Sequence, residues 1–150
     1  MMSRALFFCL ILLAATPARG ADEEIVRHAI KANFEQAKDN LVMAIEGRGL
    51  VVNNVSHVGA MLERTGRDVG SGAKLYGKAE VVEFCSATVS RQMMAVDPHN
   101  IVFCPYSIAV YTLPGKEDQA WIAYRRLPQR LKGVQAAEAL LAGIVQEALK

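Results

Sequence analysis

Two cysteines offer the clearest chemistry in this chain. Cys85 and Cys104 stand nineteen positions apart, and Cys9 is the third cysteine. Three readings of the pair stay open: a structural disulfide, a redox-active or ligand-binding thiol pair, or two unpaired buried thiols. A disulfide closing a loop of that size would stabilise by about 3 kcal/mol on the chain-entropy estimate. The sequence holds no Cys-x-x-Cys to depress a thiol pKa, so a thioredoxin-like centre is a poor match. His57 and Met61, at i and i+4, add imidazole and thioether donors. With Met93, Met94, His99 and the cysteines they form a donor set that copper or haem iron accepts. Tyr106, close after Cys104, joins His57, Met61, Cys85, Met94, His99 and Cys104 as a candidate ligand-binding residue.

Each of these features has a plainer structural reading. Methionines fill cores, and His28, His57 and His99 fall on three separate elements. No His-x-x-x-His or Cys-x-x-Cys-His occurs, so covalently attached haem is excluded. No Gly-x-Ser-x-Gly occurs either, and Cys104 with His99 is the one conceivable nucleophile and base pair. Arg125, Arg126, Arg130 and Lys132 could hold an anion or simply be solvated. Gly70-Ser71-Gly72 lacks the Gly-Lys-Ser/Thr of a phosphate loop. No catalytic set is assigned.

The start of the chain bears on the compartment. Met1 to Arg4 carry one positive charge, Ala5 to Ala15 are uncharged and mostly apolar, and Ala18-Arg19-Gly20 places small residues before a cut after Gly20. This is the pattern of a secretory signal peptide. Its apolar run falls short of the roughly 20 residues a membrane span needs. The expectation is a signal peptide over 1–20 and a single domain over 21–150, periplasmic or secreted, with no membrane span after cleavage. The chain has 17 Lys and Arg against 15 Asp and Glu. Loss of Arg4 and Arg19 leaves fifteen of each sign, which gives no electrostatic case for nucleic acid. In an exported chain, the two remaining cysteines are expected to be oxidised.

The elements that must position these residues follow from periodicity. Val26, His28 and Ile30 alternate with polar neighbours, so a strand is expected over 24–32. Asn33 followed by Gln36 forms a capping box, and Phe34, Ala37, Leu41 and Ile45 line one face of a helix over 34–47. A strand over 50–58, a short helix over 59–68 and a strand over 75–84 come next. Ser86 caps a helix through Met94, and Asp97-Pro98-His99-Asn100 turns the chain. Residues 101–113 read as the strongest strand, with Pro105 implying an edge position or a bulge. A hairpin loop over 114–118, a strand over 119–126 and an amphipathic helix over 134–149 complete the order β-α-β-α-β-α-β-β-α. That order predicts an α+β fold, a mostly antiparallel sheet with helices packed on it.

The run Glu83-Phe84-Cys85-Ser86-Ala87, then Met93-Met94, Asp97-Pro98, Val102-Phe103-Cys104-Pro105-Tyr106 and Ile108-Ala109-Val110-Tyr111, resembles the family called domain of unknown function 302. The likeness covers most of 24–128. Ser86-Ala87 stands where the commoner form has Asn-Pro, and Cys104-Pro105 reverses the family's Pro-Cys order, as in an exported branch. The resemblance implies a fold like that of the TATA-binding protein and often a homodimer. It implies no activity, and the DNA-binding role of that namesake is not carried over.

The functional expectation is an exported domain holding a small ligand or a metal-containing cofactor near Cys85, Cys104 and His57. Two alternatives stand beside it. One is a structural or partner-interaction domain stapled by a Cys85–Cys104 disulfide, and the other is a thiol-based redox protein.

Overall fold

The computed structural model describes residues 24–150. The signal peptide expected over 1–20 therefore lies outside the described residues. The chain runs β1 (Ile25–Ile30), α1 (Phe34–Glu46), β2 (Val51–Ser56), α2 (Val58–Thr65), β3 (Ala79–Cys85), α3 (Ala87–Val96), a 3-10 helix (Pro98–Phe103), β4 (Tyr106–Leu113), β5 (Lys116–Arg125) and α4 (Gln135–Ala148). The strands form one sheet in the order β1-β5-β4-β3-β2, and every neighbouring pair is antiparallel. The α+β expectation holds.

Local signals account for most boundaries. The Asn33 side chain accepts from the Gln36 N–H at 2.9 Å, and the Gln36 side chain accepts from the Asn33 N–H at 3.2 Å, closing the capping box. Phe34, Ala37, Leu41 and Ile45 are all buried, as helical spacing requires. The Ser86 side chain accepts from the Val89 N–H and caps α3. Along β5, Ile122 and Tyr124 enter the core while Trp121 takes the other face.

The largest difference from expectation lies at 98–105. Residues 101–103 are not strand but the end of the 3-10 helix. Asp97 caps that turn, its side chain accepting from the His99 N–H at 2.9 Å, and Pro98 supplies a pre-set φ at the first turn. Asn100, not its apolar neighbours, points inward. It is 3% exposed, and its amide donates to the carbonyls of Met93 and Lys132 at 3.2 and 3.0 Å. Ile101 and Val102 are left in solvent, against the rule that β-branched runs make strands. Pro105, joined to Cys104 by a cis peptide bond, marks neither an edge nor a bulge. It precedes β4, the middle strand of the sheet, where its missing N–H breaks no ladder bond. A further correction concerns the hairpin: β5 begins at Lys116, so the turn is only Pro114-Gly115, with Gly115 at φ +74°.

The core lies between one sheet face and the helices. Val82, Phe84, Tyr106, Ile108, Val110 and Ile122 are fully or almost fully buried. α1 and α4 pack side by side over them, and α3 packs against α4 and the 3-10 helix. Gly133, just before α4, lets α3 come close to it. Its φ is +88°, and a Cβ there would stand 2.9 Å from the Val96 Cβ.

Glu138 fastens α4 to the end of β5. One oxygen accepts from the Tyr124 hydroxyl and the other from the Leu127 N–H, both at 2.9 Å. Burial first, then the Glu138 carboxylate, push the Tyr124 phenol up to about 12. Above pH 10 the unfolded chain ionises this phenol and the folded chain does not, so stability falls as pH rises from 10 to about 12. Tyr124→Phe is expected to flatten that slope in urea unfolding measured at stepped pH. Glu138→Ala, which strands two buried donors, is expected to cost about 2 kcal/mol at pH 7.

Candidate functional site

In an antiparallel pair, the C-terminal end of one strand meets the N-terminal end of its neighbour. β3 and β4 pair with Phe84 opposite Tyr106, so Cys85, just beyond Phe84, and Cys104, just before Pro105, arrive at the same end of the sheet. The rings of Phe84 and Tyr106 pack at 5.8 Å, tilted by 59°, and hold that end together. α3 starts immediately after Cys85 and lays Ser90 across the junction. The Ser90 hydroxyl lies 3.1 Å from the Cys104 sulfur and 3.1 Å from the Tyr106 hydroxyl.

Both cysteines are free thiols, Cys85 exposed and Cys104 half-buried. They are neighbours, since a thiol–thiol hydrogen bond and the charge of Cys104 both act on Cys85. Burial around the sulfur, then Cys104, push the Cys85 thiol up. A hydrogen bond from the Tyr106 backbone opposes this but does not win. Burial likewise raises the Tyr106 phenol, against the bond from Ser90. At neutral pH the site therefore presents a protonated Cys85 and a protonated Tyr106. A resting thiol of this kind is a weak nucleophile.

The other expected donors go elsewhere. His57 stands at the N-terminal boundary of α2 without a capping side-chain hydrogen bond and sits by Glu80, its Nδ1 2.8 Å from the carboxylate. Glu80 is five residues from Cys85 on β3, a rise of about 16 Å along a strand. The His57 ring serves an ion-pair cluster in which Lys38 lies 2.6 Å from the second Glu80 oxygen. Burial disfavours the charged Glu80, but hydrogen bonds and charge from Lys38 and His57 outweigh it and hold its carboxyl below the ordinary value. Met61 is exposed on α2 at that distant end. His99 is exposed on the 3-10 helix. Met94 is half-buried against the core, one helical turn from Ser90. Thus Cys85, Cys104 and Tyr106 are brought together, and His57 and Met61 are not. Among the described residues no three of His, Cys, Asp or Glu cluster as a metal site.

Ser90 was not anticipated. Its only sequence signal is a serine inside a helix, where the type is disfavoured unless its hydroxyl finds work.

The chain is thus an α+β domain with one antiparallel sheet, helices on one face, and a thiol pair at the end of its central strands. The model of the domain of unknown function DUF302 matches residues 26–150, and the chain belongs to that family. Its fold is similar to the crystal structure of an uncharacterized conserved DUF302 protein from Bacillus stearothermophilus, with a TM-score of 0.64 at 16% identity, covering 84% of this chain and 98% of that one. No functionally curated protein matches this chain.

Two outcomes test the geometry. Reaction of Cys85 with a thiol reagent is expected to have its midpoint above the ordinary thiol value. Cys104→Ser should lower that midpoint without normalising it, since burial, the larger cause, remains. Ser90→Ala removes a hydroxyl partner of Tyr106, and is expected to cost about 1–2 kcal/mol in urea unfolding.

Proposed function

We propose that this domain binds a soft, thiophilic ion, copper(I), through the Cys85 and Cys104 sulfurs. The observation that carries the reading is their adjacency at one sheet end, with no imidazole or carboxylate joining them as a third donor among the described residues. Zinc takes four protein donors in structural sites and three in catalytic ones, whereas a d10 copper(I) ion accepts two thiolates. The raised Cys85 thiol fits this use: the free site keeps its protons, and the ion displaces them. Copper(I) and two thiols give a bis-thiolate complex and two protons, so affinity rises with pH. Ser90 and Tyr106 orient the Cys104 sulfur. His57 and Met61 take no part.

In anaerobic competition with a chromogenic copper(I) chelator, the protein is expected to take up one ion per chain. Cys85→Ser or Cys104→Ser should abolish uptake, and His57→Ala should leave it unchanged. Undiminished uptake by either cysteine variant would overturn the reading.

The same adjacency favours one second reading, a reversible disulfide. Oxidised glutathione would then convert the dithiol to a disulfide with release of two reduced glutathiones, lowering the mass of the protein by two hydrogens. Export, supported by the basic and apolar segment over 1–20, belongs to the same proposal. N-terminal sequencing of the protein from its own cell is expected to begin at Ala21, and an intact Met1 would refute cleavage.

A further inference from the structure

The sheet face away from α1 and α4 carries an abrupt change of side-chain size. Tyr111 opposes Trp121 across β4 and β5, their rings stacked at 6.4 Å. Two residues along on the same face, Ala109 opposes Ala123. Two large rings followed by two methyl groups leave a hollow. The 3-10 segment and β1 wall it with Val102, Phe103 and Ile25, and it reaches past the sheet end to Leu127 and to Leu141 of α4, giving a cavity of about 350 Å³. That is the size of a small-molecule site. Val102 and Ile25, 76% and 58% exposed, stand at its rim, where apolar side chains gain nothing from water.

The polar end of the cavity is cationic. Arg125, two residues beyond Ala123 on the same face, lines it and has no acidic partner among the described residues. Arg27 opposes Ala123 from β1 and adds a second positive charge. Glu83, on the same face of β3, is engaged by Asn54 at 2.9 Å. An apolar hollow closed by one free guanidinium is complementary to a molecule with a short apolar body and one carboxylate.

We propose that this cavity binds a small amphiphilic monocarboxylate, its chain over Ala109 and Ala123 and its carboxylate on Arg125. Neither cysteine lines the cavity, although Phe103, Pro105 and Tyr106 on either side of Cys104 do, and the inference does not depend on copper binding. Trp121, the single tryptophan of the chain, shares the face and reports occupancy by its fluorescence.

Octanoate, octanol and octylammonium are titrated into the whole protein, with calorimetry beside fluorescence. Saturable one-to-one binding of octanoate, about threefold to fivefold tighter than octanol, is expected, since Arg125 is exposed and an ion pair there is worth a factor of that order. Arg125→Gln should erase the preference and leave octanol unchanged. Ala109→Leu, which fills the floor, should weaken both. Arg125→Gln should leave copper(I) uptake by the cysteines unchanged, so failure here and failure of the copper reading are separable. Equal binding of octanoate and octanol, an Arg125→Gln variant that keeps the preference, or no saturable binding overturns the proposal. So does a dimer in sedimentation whose interface shields Arg125 from solvent.

Discussion

The pairing of Phe84 with Tyr106 is the contact on which the rest of this molecule turns. It sits where β3 ends and β4 begins, at the helix-covered side of the sheet, and both rings are almost wholly removed from water. A strand slipped by one residue would turn every side chain over. Val82, Ile108 and Val110 would then leave the core, so the register is held by the whole buried face. The thiol pair inherits this rigidity, because each cysteine lies within two residues of a paired ring.

That position explains the electrostatics of the site. Cys85 sits at the rim of the packed layer, wet enough to be reached yet dry enough to disfavour a thiolate. A second sulfur alongside discourages charge further. Ser90 then meets a need that the core creates: the Tyr106 ring is buried, its hydroxyl cannot reach bulk water, and a helix passing overhead supplies a partner. A buried phenol without one would forfeit most of what its ring contributes. The other end of β3 is arranged differently. There a carboxylate is kept charged by Lys38 and His57, which leaves His57 occupied in structure and distant from sulfur.

The two sheet faces also part in character. Helices cover one with aliphatic and aromatic packing, while the other alternates rings, methyl groups and arginines. Antiparallel sheets tolerate such asymmetry because their strands need cover on only one side.

Much of this was legible in the residues. Capping signals at Asn33 and Ser86, helical spacing in α1 and α4, and alternation in β5 act within a few positions, and such local rules survive folding. The pair of cysteines, with Tyr106 beside the second, was likewise marked by type and placement within a family pattern. What misled was equally local. Ile101, Val102 and Phe103 look like strand, but the inward pull of Asn100 and the cap at Asp97 made a 3-10 turn. His57 and Met61 looked like ligands because donor atoms were counted without knowing which end of β3 they would reach. The sequence alone determined the strands and α-helices outside 98–105, their order and the two sulfurs, since these follow from short-range preferences. Only the tertiary structure decided that the sulfurs meet, that Ser90 bridges to a buried tyrosine, and that an alanine pair opens a cavity beneath Arg125. Those facts depend on strand order and register, which are set by burial across the whole sheet and by no neighbouring residue.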